Sequence, residues 1–201
     1  YVFFSANSKT IDALKNMLAI VQGADGGLEA ADAINVGVDI GGTKVTVGLL
    51  DSACRMPAMS KMRTNAFLGR QSLVDRVTRQ IVKTLELAGL DQWDRVSVGI
   101  GFPGDIDPVT GMVKTAPNVP GLIGFDPKAL WAEALFRATG TRVPVYLDND
   151  ASVAALAEAQ LGAGKGVVRQ TYLTVSTGIG GATVEHQNIV NIEPGLRMYP
   201  D

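Results

Sequence analysis

Apolar and polar positions alternate along the middle of this chain, with one interruption. Val36, Val38 and Ile40 alternate with Gly37 and Asp39, and Val45, Val47 and Leu49 resume the period after Gly41-Gly42-Thr43. This spacing predicts two strands, 34–40 and 44–51, joined by a tight turn. A third strand is expected at about 55–64. The period then changes: Leu73, Val77, Ile81 and Leu85 are spaced for one helix face over 70–89, with Gly89 as the stop. Val96, Val98 and Ile100 mark a fourth strand, and a glycine- and proline-rich loop follows over 101–125. Residues 126–139 read as a helix with Pro127 in its first turn. Val143 to Leu147 reads as a strand, 149–161 as an alanine-rich helix, and Gln170 to Val175 as another strand. A glycine turn at 178–181 leads to a last strand at about 182–185. Residues 1–33 stand apart, with Ile11, Leu14, Leu18 and Val21 on one helical face before Gly23, Gly26 and Gly27. They read as an N-terminal extension or linker.

Composition narrows the function classes. Of 201 residues, 46% are hydrophobic and 19% charged, which supplies a buried core. A net charge of -2 argues against a nucleic-acid-binding surface. Cys54 and His186 are the single cysteine and histidine, so neither an internal disulfide nor a cysteine metal cluster forms from these residues. No apolar run reaches the length of a transmembrane helix, and Tyr1-Val2-Phe3-Phe4 is too short for a signal-peptide core. A cytoplasmic setting without membrane partners is expected. The chain begins at Tyr1 rather than Met, and a fragment or processed chain is expected.

Three stretches carry candidate chemistry. Asp39-Ile40-Gly41-Gly42-Thr43-Lys44 places a carboxylate in an apolar strand, where it needs a cation or donor, beside a turn with accessible N–H groups, a hydroxyl and an ammonium. Ser176-Thr177-Gly178-Ile179-Gly180-Gly181 repeats that logic, and two such hairpins can grip a phosphate chain from both sides. Each alone also reads as a plain hairpin. Asp148-Asn149-Asp150 lies where a buried strand passes into a helix, the side of an α/β sheet on which ligands sit. These residues can cap the helix or supply a general base and a sugar contact, and the residue types alone leave both readings open. Asn118, in Ala116-Pro117-Asn118-Val119-Pro120-Gly121, is likewise either a turn residue or a sugar contact. In Gly99-Ile100-Gly101-Phe102-Pro103-Gly104-Asp105, the glycines suit a ligand lying close to the backbone. Cys54 reads as a small buried or edge hydrophobe, the methionines at 56, 59 and 62 as packing residues, and His186 as a surface residue.

Taken in order, these stretches resemble the ROK family (repressors, open reading frames and sugar kinases) of the actin-like ATPase superfamily, from about Ile34 to Val184. The resemblance implies an α/β fold of the actin-like ATPase (ribonuclease H-like) type. It implies a first lobe at 34–147 and, at 148–201, the start of a second lobe that is C-terminally truncated. The implied activity is ATP-dependent phosphorylation of a hexose hydroxyl of the glucokinase type. Asp150 matches the family's catalytic base, and Asn118 and Asn149 match its sugar contacts. Asp39 matches the carboxylate near the metal, Mg²⁺. Gly41, Gly42, Thr43 and Lys44 match one nucleotide segment, and Thr177, Gly178 and Gly180 the other. Family kinases then carry a Glu-x-Gly-His element and a cysteine-rich zinc motif; Glu185-His186-Gln187 does not match the former, and no cysteine follows Cys54. The family's zinc site is therefore expected to be missing, and activity of this chain alone to be impaired. A homodimer is the assembly the resemblance suggests. Two other readings stay in view: a ROK-type sugar-responsive transcriptional regulator, and a non-catalytic sugar-binding fragment.

Overall fold

A computed structural model describes residues 34–50, 56–107, 109–175, 179–186 and 188–190. The helix expected within 1–33, together with Cys54, Thr177 and Gly178, lies outside them. The alternating stretches form the expected strands: β1 (Ile34–Ile40), β2 (Lys44–Leu50), β3 (Ala58–Arg63) and β4 (Val96–Phe102). With β7 (Val145–Asn149) they build one five-stranded sheet in the order β3-β2-β1-β4-β7. β1, β2 and β3 form an antiparallel meander, while β4 runs parallel to both β1 and β7.

The register explains the alternation. Val38 lies between Val47 and Ile100, and Ile40 pairs with Val45. Partners opposite one another share a face, so these side chains make one apolar surface. Helix α1 (Arg70–Leu87) lies across β2 and β3, and helix α2 (Pro127–Thr139) across β7. Leu73, Val77, Ile81 and Leu85 of α1, with Trp131 and Leu135 of α2, complete a fully buried core. Asp126 caps α2 by accepting the Ala129 N–H at 3.1 Å, and Gly140 ends it in the left-handed conformation. The opposite sheet face carries Asn35, Gly37 and Asp39 on β1, beside Ser97, Gly99 and Gly101 on β4.

Several elements differ from expectation. The 101–125 loop contains a short hairpin, β5 (Asp105–Ile106) with β6 (Val113–Thr115). Strands of two and three residues are too short to display a period. Asp107 shapes the hairpin's end, accepting the N–H groups of Val109 and Thr110 and pairing with Lys114 at 2.9 Å. β7 runs on to Asn149, because Asp148 and Asn149 still pair with Gly101 and Phe102. Helix α3 (Asp150–Gln160) therefore starts one residue later than expected.

After α3, strands β8 (Arg169–Val175), β9 (Ile179–Glu185) and β10 (Asn188–Val190) form a second antiparallel meander, ordered β10-β9-β8. It repeats the β3-β2-β1 opening of the first sheet. Ala155 and Ala159 of α3 pack against Ala182 and Val184 of β9. β9 begins earlier than expected: Gly180 and Gly181 are strand residues paired with Thr174 and Leu173. A Cβ on Gly181 would sit 2.6 Å from the Tyr172 carbonyl oxygen, so this close pairing needs glycine. Met59, expected to pack, is 44% exposed, while Met62 packs on the core. Among the described residues no helix is long and apolar enough to cross a membrane.

Candidate active site

The chemistry-bearing residues gather where β1, β4 and β7 end. Asp39 is in register with Thr46 of β2 and Gly101 of β4, and Gly101 with Asp148 of β7. Asp39 and Asp148 thus share a sheet face, with only a glycine between them. Asp39 is largely buried, and its pKa rises from an ordinary 3.8 to about 6. Burial is the main cause; the charge of Asp150 adds to it and Lys44 opposes it. Burial also raises the pKa values of Asp148 and Asp150. Asp39 is therefore a partly buried carboxylate with one nearby cation and a second carboxylate close enough to repel it.

The turn after β1 stands beside this carboxylate. The Gly41 N–H donates to the Lys44 carbonyl at 2.9 Å, and a Cβ on Gly41 would lie 3.0 Å from that oxygen. Gly42 lies against Asn118, whose Cγ and Oδ1 would each be 3.0 Å from an added Cβ. Thr64 holds the turn from behind: its hydroxyl donates to the Gly41 carbonyl at 2.6 Å and its N–H to the Thr43 carbonyl at 3.0 Å. Gly42, Thr43 and Lys44 are exposed, and the N–H groups of Gly42 and Thr43 have no backbone partner among the described residues. Exposed N–H groups beside a hydroxyl and an ammonium make an anion-binding concavity.

At the β7–α3 junction, Asn149 is the helix cap. Its Oδ1 accepts the N–H groups of Ala151 at 3.0 Å and Ser152 at 3.2 Å, and its Nδ2 donates to the Gly104 carbonyl at 2.9 Å. Gly104 can deliver that carbonyl because it has no side chain. A Cβ there would be 2.6 Å from both the Phe102 ring and the Thr115 carbonyl oxygen. This glycine makes room for the chain's own packing, not for the ligand approach read from the sequence. Asp150 opens the first turn of α3, and one carboxylate oxygen accepts the Ala151 N–H at 2.8 Å. Gly180 brings the second meander to the same place: a Cβ on it would be 3.5 Å from Cβ of Ala151 and 3.2 Å from Thr174.

Asp39, the 41–44 turn, Asn118, Asn149, Asp150 and Gly180 thus lie around one end of the first sheet. Nothing in the sequence marks Thr64 as a site residue, and Asp148 reads there only as one of three cap or base candidates. Thr64 is one threonine at a strand end, and its turn partners are distant in sequence. Asp148 offered the signal of three polar residues at a strand end, but its place beside Asp39 depends on register. Among the described residues, no three His, Cys, Asp or Glu side chains gather to hold a metal by themselves. A buried, under-compensated carboxylate beside an anion cradle fits Mg²⁺, which is commonly held by one or two carboxylates together with phosphate oxygens and water.

Residues 35–196 match the ROK family. The chain belongs to that family. It is 32% identical over 161 residues to a glucokinase of Halalkalibacterium halodurans, covering 80% of this chain and 47% of that protein. A solved ROK hexokinase from Thermus thermophilus is 32% identical with a TM-score of 0.63, over 80% of this chain and 49% of that one. A ROK family glucokinase from Streptomyces griseus, solved in complex with glucose and AMPPNP, is 30% identical with a TM-score of 0.65, over 79% of this chain and 46% of that one. The fold of this ROK chain is therefore that of the family's sugar kinases, the actin-like ATPase fold. The chain spans about half the length of the curated relatives it matches.

Proposed function

We propose that this ROK chain takes part in transferring the γ-phosphoryl group of ATP to a hydroxyl of a hexose. On this reading residues 34–147 are the first lobe and 148–201 begin the second, with the substrates between them. The observation that carries the proposal is Asp150. Its carboxylate is half-buried, is anchored by the Ala151 N–H, and lies close enough to Asp39 to raise that residue's pKa. The N–H groups of Ala151 and of Asp150 itself hold the carboxylate in place, and the raised pKa suits a general base. As Asp150 takes the proton of the hexose hydroxyl (on C6 for glucose), the hydroxyl oxygen bonds to the γ-phosphorus. The bond to the β-phosphate bridging oxygen breaks, and ADP leaves with that electron pair.

The exposed N–H groups of Gly42 and Thr43, with Lys44, hold phosphate oxygens and stabilise the charge that develops on them. Thr177, Gly178 and Gly180 are assigned the matching role from the second meander. Asn118, packed against Gly42, and the remaining Nδ2 hydrogen of Asn149 orient the sugar between the turn and the base. Asp39 is assigned to Mg²⁺, which when bound offsets the negative charge of the phosphates. The Streptomyces griseus relative with glucose and AMPPNP supports this assignment of substrates.

The test is a coupled ADP-release assay with glucose on the full chain and on Asp150→Asn. Loss of a general base predicts a fall in kcat of about 100-fold or more. Equal turnover in the two proteins would remove Asp150 from the mechanism.

A further inference from the structure

We infer that Thr64 and Arg76 are positioning residues for the phosphate-binding turn, acting through its carbonyl groups. The inference rests on the nucleotide reading of that turn given above. A turn that offers its N–H groups to an anion must have its carbonyls held on the other side, because a peptide that rotates exchanges one for the other. In this chain one residue holds two of the turn's carbonyls, that of Gly41, whose peptide carries the Gly42 N–H, and that of Thr43, whose peptide carries the Lys44 N–H. The Thr64 hydroxyl donates to the Gly41 carbonyl at 2.6 Å, and the Thr64 N–H donates to the Thr43 carbonyl at 3.0 Å.

Thr64 is itself fixed. Its side chain is fully buried, and its own carbonyl accepts Nη1 of Arg76 at 2.9 Å. Nη2 of the same guanidinium donates to the Arg63 carbonyl. Arg76 stands on α1 between Leu73 and Val77, both buried in the core. The sequence of contacts therefore runs from a core helix, through one guanidinium, to a buried threonine, to the two carbonyls of the turn. The planar fork of arginine suits this role, since it reaches two successive carbonyls at once. Pre-organising the turn in this way lowers the cost of ordering it around the phosphates.

A merely structural role would lower stability and leave nucleotide affinity unchanged. Three substitutions separate the two. Thr64→Val keeps shape and branching and removes the hydroxyl; Thr64→Ser restores it; Arg76→Met keeps the aliphatic stem and removes the fork. Calorimetry with ATP·Mg²⁺ gives the nucleotide Kd for each, thermal melting without ligand gives stability, and steady-state kinetics separate KM for ATP from kcat. Thr64→Val is expected to bind ATP·Mg²⁺ about 5- to 10-fold more weakly, Arg76→Met about 3-fold more weakly, and Thr64→Ser within about twofold of wild type. Wild-type affinity in Thr64→Val, or a serine variant as weak as the valine one, overturns the inference. If Thr64→Val does not fold, Arg76→Met decides, and wild-type affinity there overturns it. Absence of any heat from the unsubstituted chain with ATP·Mg²⁺ instead overturns the nucleotide reading, before any substitution is compared.

Discussion

Replacing Asp39 with asparagine should stabilise the chain at neutral pH. Asp39 has an ordinary pKa of 3.8 in the unfolded chain and about 6 in the folded one. The folded state thus binds this proton more tightly. The stabilisation that goes with the proton is fully present below about pH 4 and is lost as the pH rises through about 6. Above that, folding carries the cost of a buried, ionised carboxylate. A shift of this size corresponds to about 3 kcal/mol. Asp39 retains some contact with water, so a gain of about 2 kcal/mol is expected for Asp39→Asn at about pH 7.5, with almost none at about pH 4. Urea unfolding of both proteins at the two pH values measures it. No gain at neutral pH, or an equal gain at both, refutes the reasoning. A retained carboxylate that costs stability is what a site kept for a cation requires, since such residues are selected for binding rather than for folding. The same logic predicts a neutral-pH gain for Asp150→Asn, through removal of its own burial cost and relief of its repulsion of Asp39.

Two further outcomes follow from the β7–α3 junction. Asn149→Ala removes a helix cap and strands the Gly104 carbonyl, and should cost about 2 kcal/mol in urea unfolding; Asn149→Ser should recover roughly half of it by restoring the cap. Gly104→Ala places a Cβ 2.6 Å from the Phe102 ring and the Thr115 carbonyl oxygen, and should lower stability by about 2 kcal/mol or more. An unchanged unfolding midpoint for either alanine variant would contradict these contacts.

Long periodic elements were legible in the sequence because their periods are enforced by burial. Val36 to Leu49 alternates because one face of β1 and β2 lies in the core that α1 and α2 complete, and Leu73 to Leu85 repeats because the same core lies beneath it. The misses have local causes. β5 and β6 are too short to carry a period. Asp148 and Asn149 have the side chains of turn and cap residues, yet their backbones still pair with Gly101 and Phe102. Gly180 and Gly181 have the composition of a turn. They are strand residues paired with Thr174 and Leu173, and at Gly181 the neighbouring strand approaches more closely than a side chain allows. At 148–149 and 180–181 a tertiary neighbour overrode a local preference.

The candidate site was legible where function and local chemistry coincide in one short stretch, as in Asp39 to Lys44. It was illegible where a residue serves through a partner distant in sequence, as Thr64 serves Gly41. Asn149 lies between these cases. The residue type offered a choice between helix cap and sugar contact, but the two are not exclusive. An amide has two acceptor positions and two donor hydrogens. The helix N–H groups of Ala151 and Ser152 take Oδ1, and the Gly104 carbonyl takes one Nδ2 hydrogen. Among the described residues one hydrogen remains, and the other three bonds fix where it points. Capping thus becomes the means by which a donor beside Asp150 is held still, so a substitution that abolishes the cap should also weaken sugar binding.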